Sequence, residues 1–360
     1  MAKHFRPLKI SEVRPETDDC ISVVLQVPEE WKEEFRYQAG QNITIRSSVG
    51  GEEIRRSYSI CSSPQENELR VAIKKLEGGR FSEYAHSQLK PAMILDVLAP
   101  TGNFVFHLRP SNKKYYLAFA AGSGITPVIS LLKTILLEEP SSRFTLVYGN
   151  RSRNAMIFRE ELMALKNAYP DRFQMIPVFS REKMDAPIFE GHIDANKCEL
   201  IFKDLIPPAD DREYLLCGPA PMIFTLRDWL MTHQIPEKKI HYELFSDPGS
   251  AAPLKTMDLT KDATTPENSQ VTIRLDGVAA DYIIPRRGPT ILEAAIQAGA
   301  DLPYACRAGV CASCRAKLVQ GKVTMDQNYA LAEEELEEGF ILACQAHPAT
   351  DKLVIDFDIR

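Results

Sequence analysis

Four cysteines near the C-terminal end constrain this chain more than any other feature. They are spaced C-x4-C-x2-C, with 29 residues between the third and the fourth, and they are Cys306, Cys311, Cys314 and Cys344. Three ligands from one short loop and a fourth from a distant segment predict a metal site that closes only when a domain folds around it. Gly309 lies inside the loop and favours the tight turn that this convergence needs.

The metal at this site is predicted from the spacing. C-x4-C-x2-C followed by a remote cysteine is the spacing of plant-type [2Fe–2S] clusters. Backbone N–H groups around such a loop can stabilise the anionic cluster. A structural zinc site with four cysteine ligands is the alternative, although zinc sites more often use two C-x2-C pairs and this chain has one. We therefore expect a [2Fe–2S] cluster.

Composition excludes several classes of protein. The 360 residues are enough for two or three domains, and 44% apolar with 26% charged residues is ordinary for a globular protein. The formal net charge of −6 disfavours a nucleic-acid partner. The chain shows neither a signal-peptide pattern nor an uninterrupted apolar stretch long enough for a membrane span. These observations predict a cytoplasmic protein without a membrane partner.

Two blocks of different character precede the cysteine loop. Between Ile21 and Pro100, short β-rich runs are separated by Gly, Pro and Asn, which predicts an antiparallel barrel over residues 1–110. From Tyr115 onward, strands alternate with helices, which predicts a parallel α/β sheet over residues 111–245.

The remainder of the chain divides into a linker and a third domain. Residues 246–270 contain no aromatic side chain and are rich in Pro, Ser and Thr, as linkers are. Residues 271–360 predict a hairpin, a helix, the cysteine loop and a last strand, which is a small α+β domain. This block carries 9 basic and 13 acidic residues. Five of the acids lie within Glu333–Glu338, which is either a solvated helix face or a docking surface for a basic partner.

Two glycine-containing turns predict a nucleotide site. Gly122–Thr126 follows a buried strand and opens a helix, whose N-terminal N–H groups can hold a pyrophosphate. It lacks the full G-x-G-x-x-G pattern, so a plain strand-to-helix turn is the alternative. Cys217-Gly218-Pro219 ends a second strand in the same block. Ligands of open parallel sheets bind at the carboxyl ends of strands, where both turns are expected to lie.

Two segments of the first block can bind a second nucleotide. Arg56-Ser57-Tyr58-Ser59 lies on a predicted strand, where Arg56 can pair with a phosphate, Tyr58 can lie against a ring and Ser59 can bond a ring nitrogen. Gly79-Arg80-Phe81-Ser82 is a candidate anion-binding helix start. An ordinary sheet face and a plain capped turn are the respective alternatives.

Taken together, these motifs resemble the ferredoxin-NADP reductase superfamily fused to a plant-type ferredoxin domain. The R-x-Y-S, GSGITP, CGP-x-x-M and four-cysteine motifs occur in the order found there, and the resemblance covers essentially the whole chain. It implies an FAD-binding β-barrel, an NAD(P)-binding α/β domain and a C-terminal β-grasp ferredoxin domain. Within the superfamily, the chain is similar to the reductase components of multicomponent epoxidases.

The resemblance also implies residue roles. It assigns the flavin to residues 56–59, with Arg56 on the pyrophosphate, Tyr58 on the isoalloxazine or ribityl and Ser59 on N5. It assigns the second phosphate to residues 79–82, which favours FAD over FMN. The resemblance assigns a 2′-phosphate to Ser180 and Arg181. It assigns the rest of the nicotinamide nucleotide to Gly122, Ser123, Gly124, Ile125, Thr126, Cys217, Gly218 and Pro219. Cys217 lies near the nicotinamide, and Glu243 and Phe245 lie beside the flavin, so that Ser59, Cys217, Glu243 and Phe245 form the predicted catalytic group.

The implied function is electron transfer. A nicotinamide gives two electrons as a hydride, a [2Fe–2S] cluster accepts one, and a flavin between them takes two and releases them singly. We expect electrons to pass from NADPH, with NADH as the alternative, through FAD and the cluster to an oxygenase component, a di-iron epoxidase complex. A different oxygenase or a hybrid-cluster protein is the alternative acceptor. A non-catalytic binding protein with a four-cysteine zinc site is the alternative from another class.

Overall fold

The first block folds as a six-stranded antiparallel sheet that curls into a barrel. The computed structural model describes residues 4–207, 209, 211–245 and 268–359. The strands of this sheet are β1 (Phe5–Thr17), β2 (Cys20–Gln26), β3 (Asn42–Val49), β4 (Glu52–Ser59), β5 (Leu69–Lys74) and β6 (Ile94–Thr101), in the order β4-β3-β6-β1-β2-β5. An antiparallel bridge from Ile60 to Val71 connects the two edge strands and closes the barrel. Helix α1 (Arg80–Gln88) packs on β3 and β5.

The longest strand of this sheet begins before the region that the sequence predicted as β-rich. β1 starts at Phe5 and pairs with both β2 and β6, so it is central to the barrel rather than an extension of it. Pro7 and Pro15 interrupt its sequence, and proline usually argues against a strand. Irregular pairing at Ile10/Glu12 and Pro15/Thr17 accommodates the second of these prolines.

The second block is a five-stranded parallel sheet, as predicted. Its strands are β7 (Tyr115–Ala121), β8 (Arg143–Asn150), β9 (Phe173–Phe179), β10 (Arg212–Gly218) and β11 (Ile240–Leu244), in the order β11-β10-β7-β8-β9. The helices are α2 (Ile125–Glu138), α3 (Arg159–Ala168), α4 (Ala195–Asp204) and α5 (Ala220–Thr232). Six of the seven residues of β7 are buried, as expected for a strand covered on both faces. The parallel order brings the carboxyl ends of all five strands to one edge.

The third block is a mixed sheet with one helix packed against it. Its strands are β12 (Asn268–Leu275), β13 (Val278–Pro285), β14 (Arg315–Gln320), β16 (Phe340–Leu342) and β18 (Lys352–Asp356), and β15 (Val323–Met325) pairs separately with β17 (Ala346–Pro348). The helices are α6 (Ile291–Gln297) and α7 (Glu333–Glu337). The parallel pair β12–β18 and the antiparallel hairpin β12–β13 give the β-grasp arrangement. Residues 246–267 of the predicted linker lie outside the described residues, and its last three residues begin β12.

The acidic run forms helix α7, and four of its five carboxylates are exposed, as a solvated face requires. Glu335 differs from the others. It forms an ion pair with Arg315 at 2.7 Å and accepts a hydrogen bond from the side chain of Asn103 in the first block. The run therefore contributes one contact between blocks.

Buried charges connect the barrel to the parallel sheet. The Nζ of Lys133 on α2 lies 2.8 Å from carboxylate oxygens of both Glu66 and Glu161, and its side chain is only 5% exposed. Arg70 on β5 donates to both carboxylate oxygens of Glu161 at 3.0 Å. Each charge has a partner of opposite sign, which is the condition under which buried charges are tolerated.

A second ionic cluster, centred on Glu213, should make the stability of the fold sensitive to acid. Burial alone would raise the pKa of Glu213, but hydrogen bonds from His241, Lys114 and Lys239 lower it to about 2. A carboxyl whose pKa is lowered by folding stabilises the protein above its ordinary pKa of 4.5, and this contribution disappears as the pH falls towards 2. We expect Glu213→Gln to lower the free energy of unfolding by ~1–3 kcal/mol at pH 7. The difference in the free energy of unfolding between Glu213→Gln and wild type should become smaller as the pH falls below 4.5.

Chemical denaturation at pH 7 and pH 4 measures this effect. Asp211→Asn is the matched control, because Asp211 also pairs with Lys239, at 2.7 Å, but its side chain is 52% exposed. An exposed pair contributes about 0–1 kcal/mol. Equal losses in the two variants would contradict the assignment of the stabilisation to Glu213.

Candidate functional site

The R-x-Y-S segment and the start of α1 face each other, although they are 20 residues apart in sequence. Residues 56–59 are the last four of β4, and Ser57 pairs with Thr44 of β3. The half-buried ring of Tyr58 lies 5.8 Å from the ring of Phe81, measured between centroids. Arg56 is half-buried, and its Nη1 donates to the carbonyl oxygen of Arg55 at 2.8 Å. The two predicted flavin segments therefore form one surface.

The start of α1 is held by its own side chains. Gly79 is the N-cap, and the Oγ of Ser82 accepts a hydrogen bond from the backbone N–H of Leu76 at 3.1 Å and donates to the carbonyl of Gly79 at 3.0 Å. The exposed Arg80 donates to the carbonyl of Val49 at 3.0 Å. The hydroxyl of Ser82 thus shapes the turn, and the backbone N–H groups of this helix start are the donors suited to a phosphate.

Three of the four predicted catalytic residues meet where the barrel joins the parallel sheet. The Oγ of Ser59 donates to Oε2 of Glu243 at 2.8 Å. Glu243 pairs in register with Cys217 across β10 and β11. Phe245 lies one residue beyond the end of β11 with an exposed side chain. The pairing of Ser59 with Glu243 joins residues 184 apart in sequence.

Burial controls the protonation of this group. Desolvation raises the pKa of Glu243 to about 8, against the lowering effect of hydrogen bonds from Ser59 and Asn42. At pH 7 the Glu243 carboxyl is therefore protonated and neutral. Burial, with a smaller contribution from Glu243, also raises the pKa of the Cys217 thiol well above its ordinary value. The junction holds a neutral acid and a neutral thiol.

The two glycine turns are in direct contact. Residues 122–124 form a single helical turn that leads into α2, and Gly218 ends β10 just before α5. A Cβ atom on Gly124 would lie 2.1 Å from the carbonyl oxygen of Cys217, so only glycine fits there. Pro219 is the N-cap residue of α5. Two helix N-termini consequently open into one crevice, where their N–H groups favour an anion.

The predicted 2′-phosphate residues lie at the same edge of the sheet but further along it. Ser180 and Arg181 follow β9, which is two strands from β7, or about 10 Å. The N–H of Ser180 donates to the carbonyl of Asn150, and that of Arg181 donates to the carbonyl of Arg151. Both arginine side chains are exposed. The carboxyl edge of the sheet therefore carries two exposed arginines beside β8 and β9.

The thiols of the four C-terminal cysteines contact one another in pairs. The thiol of Cys306 contacts those of Cys311 and Cys344, and Cys344 also contacts Cys314. Backbone N–H groups of Cys306 and Ala308 donate to the sulfurs of Cys311 and Cys306 at 3.4 and 3.3 Å. Gly309 adopts φ +73°, with backbone and side-chain atoms 3.1–3.2 Å from where its Cβ would be.

This donor set fits a [2Fe–2S] cluster. It supplies four thiols, N–H donors to sulfur and a tight turn at Gly309 whose positive φ and close neighbours disfavour a larger residue. All eight cysteines are free thiols.

Several residues at the site were not identified from the sequence. Asn42 bonds Glu243, and the Nζ of Lys74 lies 3.9 Å from where a Cβ on Gly122 would be. The side chain of Asn150 is buried at the carboxyl end of β8, beside the hydroxyl of Tyr148. None of them belongs to a recognisable motif. For Lys74, the only sequence signal is its place at the end of a strand.

Three family models match the chain in the order of its blocks. An oxidoreductase FAD-binding domain matches residues 7–106, an oxidoreductase NAD-binding domain matches residues 119–228, and a 2Fe-2S iron-sulfur cluster binding domain matches residues 273–349. No helix in the described ranges has the length and apolar character needed to cross a membrane.

Similar proteins span the whole chain. One component of the 1,2-phenylacetyl-CoA epoxidase of Escherichia coli (strain K12) is 40% identical over 356 residues, which cover 99% of this chain and 98% of that protein. The ferredoxin reductase component of 3-ketosteroid-9-alpha-monooxygenase from Rhodococcus rhodochrous is 34% identical, covering 97% and 96%. The crystal structure of phthalate dioxygenase reductase has the same fold, with a TM-score of 0.59, 24% identity and 98% coverage of both chains.

Proposed function

Because this chain belongs to the family of FAD- and [2Fe–2S]-dependent reductase components of oxygenases, we propose that it carries electrons from NADPH to a phenylacetyl-CoA epoxidase that acts in phenylacetate degradation. The observation that carries this proposal is the meeting of Ser59, Glu243 and Cys217 between the flavin-type barrel and the nucleotide-type sheet. The relative of 40% identity supports the epoxidase as the acceptor.

The proposal divides the chain by role. Residues 1–110 bind FAD, 111–245 bind the nicotinamide nucleotide, 246–270 link them to the last domain, and 271–360 hold the cluster. The four cysteines outside the proposed cluster site form no disulfide bond, which supports a reducing compartment such as the cytoplasm.

The residues at the junction orient the cofactors and hold a proton. When bound, the flavin takes two electrons as a hydride and releases them singly to the cluster. Arg56 would hold the flavin pyrophosphate, and Tyr58 would pack against the ring system. The hydroxyl of Ser59 fixes the Glu243 carboxyl, which keeps its proton at pH 7 because its pKa is about 8. The neutral thiol of Cys217 places no charge beside the nicotinamide.

Rapid mixing under anaerobic conditions tests this function. NADPH should bleach the flavin absorption first and the cluster absorption second, and the reduced protein should support epoxidation of phenylacetyl-CoA by the oxygenase component. Bleaching of both cofactors without epoxidation would favour a different acceptor. A protein whose flavin is not reduced by either nucleotide would overturn the proposal.

Arg181 is expected to determine the choice of nucleotide. A guanidinium on a phosphate contributes ~1.5–3 kcal/mol. Arg181→Ala should therefore raise the KM for NADPH by about 10- to 100-fold and leave that for NADH within about twofold. Steady-state kinetics with both nucleotides measures this. Arg143→Ala is the matched control, since Arg143 is exposed at the opposite end of the same sheet. An equal rise for both nucleotides would show that Arg181 does not recognise the 2′-phosphate.

A further inference from the structure

One buried arginine joins the barrel to the loop that precedes the cysteines. Arg55 lies on β4, next to Arg56, and is only 7% exposed. Its Nη1 donates to the carbonyl of Leu302 and its Nη2 donates to Oδ1 of Asp301, both at 2.9 Å. Its Nε donates to Glu53 at 2.8 Å. A guanidinium with this many directed contacts fixes the orientation of the two segments that it joins.

Aromatic rings complete the surroundings of this guanidinium. The Cζ of Arg55 lies 4.3 Å from the ring centroid of Tyr304, two residues before the cluster ligand Cys306, and 5.0 Å from that of Phe5. A cation over two rings gains from both when water is excluded. The clamp, which we define as Arg55 with residues 301–304, therefore holds the segment that leads directly into the cysteine loop.

A second contact links the hairpin formed by β3 and β4, which carries Arg55, to the cysteine loop itself. The hydroxyls of Thr44 and Ser313 share a hydrogen bond of 2.9 Å, and each residue is 1% exposed. The Oγ of Ser313 lies 3.3 Å from the sulfur of Cys311, and the hydroxyl of Thr44 lies 3.2 Å from that of Ser57. A chain of hydroxyl groups thus runs from the flavin-binding strand to a cluster ligand.

The parallel sheet covers another side of this loop. Val310 and Tyr329 pack against its apolar core, and the ring of Tyr329 lies 6.2 Å from that of Phe224 on α5. The cysteine loop is therefore enclosed between the other two blocks. This position suits electron exchange inside the chain, and it covers part of the face that a partner must approach.

We propose that Arg55 is a positioning residue for electron exchange between flavin and cluster, because its clamp docks the cysteine loop on the β3–β4 hairpin. The inference rests on the proposed function. One electron crosses this contact at a time, so the two electrons of each hydride cross in two successive steps, and the proton that the hydride carried is released to water on the flavin side of the contact.

The test compares Arg55→Ala with a matched arginine of the same hairpin in the full-length holoprotein. Arg46 pairs with Arg55 in register, bonds Asp96 at 3.1 Å and lies over the ring of Phe5. All of these contacts lie within the barrel. Arg46→Ala therefore removes a similar group that shares Phe5 and Glu53 with Arg55 but makes none of the contacts to residues 301–304.

We expect Arg55→Ala to leave flavin reduction by NADPH within twofold of wild type. The following electron transfer to the cluster should slow by at least about 10-fold, since electron exchange weakens steeply with distance. Backbone hydrogen exchange should rise in residues 43–45 and 301–305, which report on the contact independently of any redox activity. Arg46→Ala should change neither the exchange in residues 301–305 nor the second step.

Other results would overturn the proposal. If Arg55→Ala shows the hydrogen exchange and the electron transfer to the cluster of wild type, the clamp does not dock the loop. If flavin reduction and electron transfer to the cluster slow equally, Arg55 serves the flavin site instead. If Arg55→Ala does not fold, Arg55→Lys keeps the charge but loses the forked contacts, and the same outcomes apply. Failure of flavin reduction in wild type would refute the proposed function, whereas the exchange measurement would still decide the docking.

Discussion

Replacing Cys344 by alanine should give a protein that accepts hydride but delivers no electrons. Cys344 is the only predicted cluster ligand outside the loop 306–314, and it contacts both Cys306 and Cys314. Without it, the proposed cage stays open on one side. We expect the purified variant to lose about two irons per chain. Its electron delivery should fall to that of iron-free protein.

The flavin step provides the internal reference for this variant. Ser59, Glu243 and Cys217 lie outside the third block, so NADPH should reduce the flavin of Cys344→Ala at a rate within twofold of wild type. Cys198→Ala is the matched control, because Cys198 is also a buried thiol, 1% exposed, but lies on α4. Iron analysis and rapid-mixing absorption measure both effects. Retention of two irons and of electron delivery in Cys344→Ala would refute the four-cysteine assignment.

Gly124→Ala is expected to disable the nucleotide crevice by steric force alone. The φ of Gly124 is −60°, which alanine adopts readily, so the backbone conformation is not the obstacle. The new Cβ would lie 2.1 Å from the carbonyl oxygen of Cys217 and 2.8 Å from the backbone nitrogen of Gly218. These are backbone atoms, so the two turns must separate. Overpacking of this kind costs about 1–3 kcal/mol or more.

Separation of the turns should affect catalysis more than stability. The N-termini of α2 and α5 would no longer face one pyrophosphate, and kcat/KM for NADPH should fall by about 100-fold, which corresponds to ~2.7 kcal/mol. The flavin and cluster spectra should not change. Gly149→Ala is the control in the same sheet, because its nearest neighbour is the flexible end of Ile193 at 3.0 Å. A kcat/KM for Gly124→Ala equal to that of the control would contradict the predicted clash.

Local sequence signals, which are short motifs and the periodicity of apolar residues, predicted the order and type of the domains. The glycine turns after strands and the switch from β-rich runs to alternating strands and helices occur as predicted. Helices α4 and α5 and strand β11 were not identified, because their sequences lack strong periodicity and their places are set by packing on the sheet. β1 was missed because two prolines obscure its alternation.

Contacts between blocks were beyond the reach of local patterns. Arg55 and Arg56 are adjacent arginines, and a strand directs successive side chains to opposite faces. The motif identified Arg56, while the role of Arg55 depends on residues about 246 positions away. Such relations appear only when the tertiary fold is known.

The buried ionic cluster around Lys133 has a consequence for the construction of chimeras. Apolar contacts are non-directional, whereas charge-assisted hydrogen bonds hold their partners at fixed angles. The crossing angle between barrel and sheet is therefore encoded in Glu66 and Arg70 on one side and in Lys133 and Glu161 on the other. A barrel grafted from a related reductase must bring matching charges with it, or it will join the sheet at a different angle and move the flavin away from the nicotinamide.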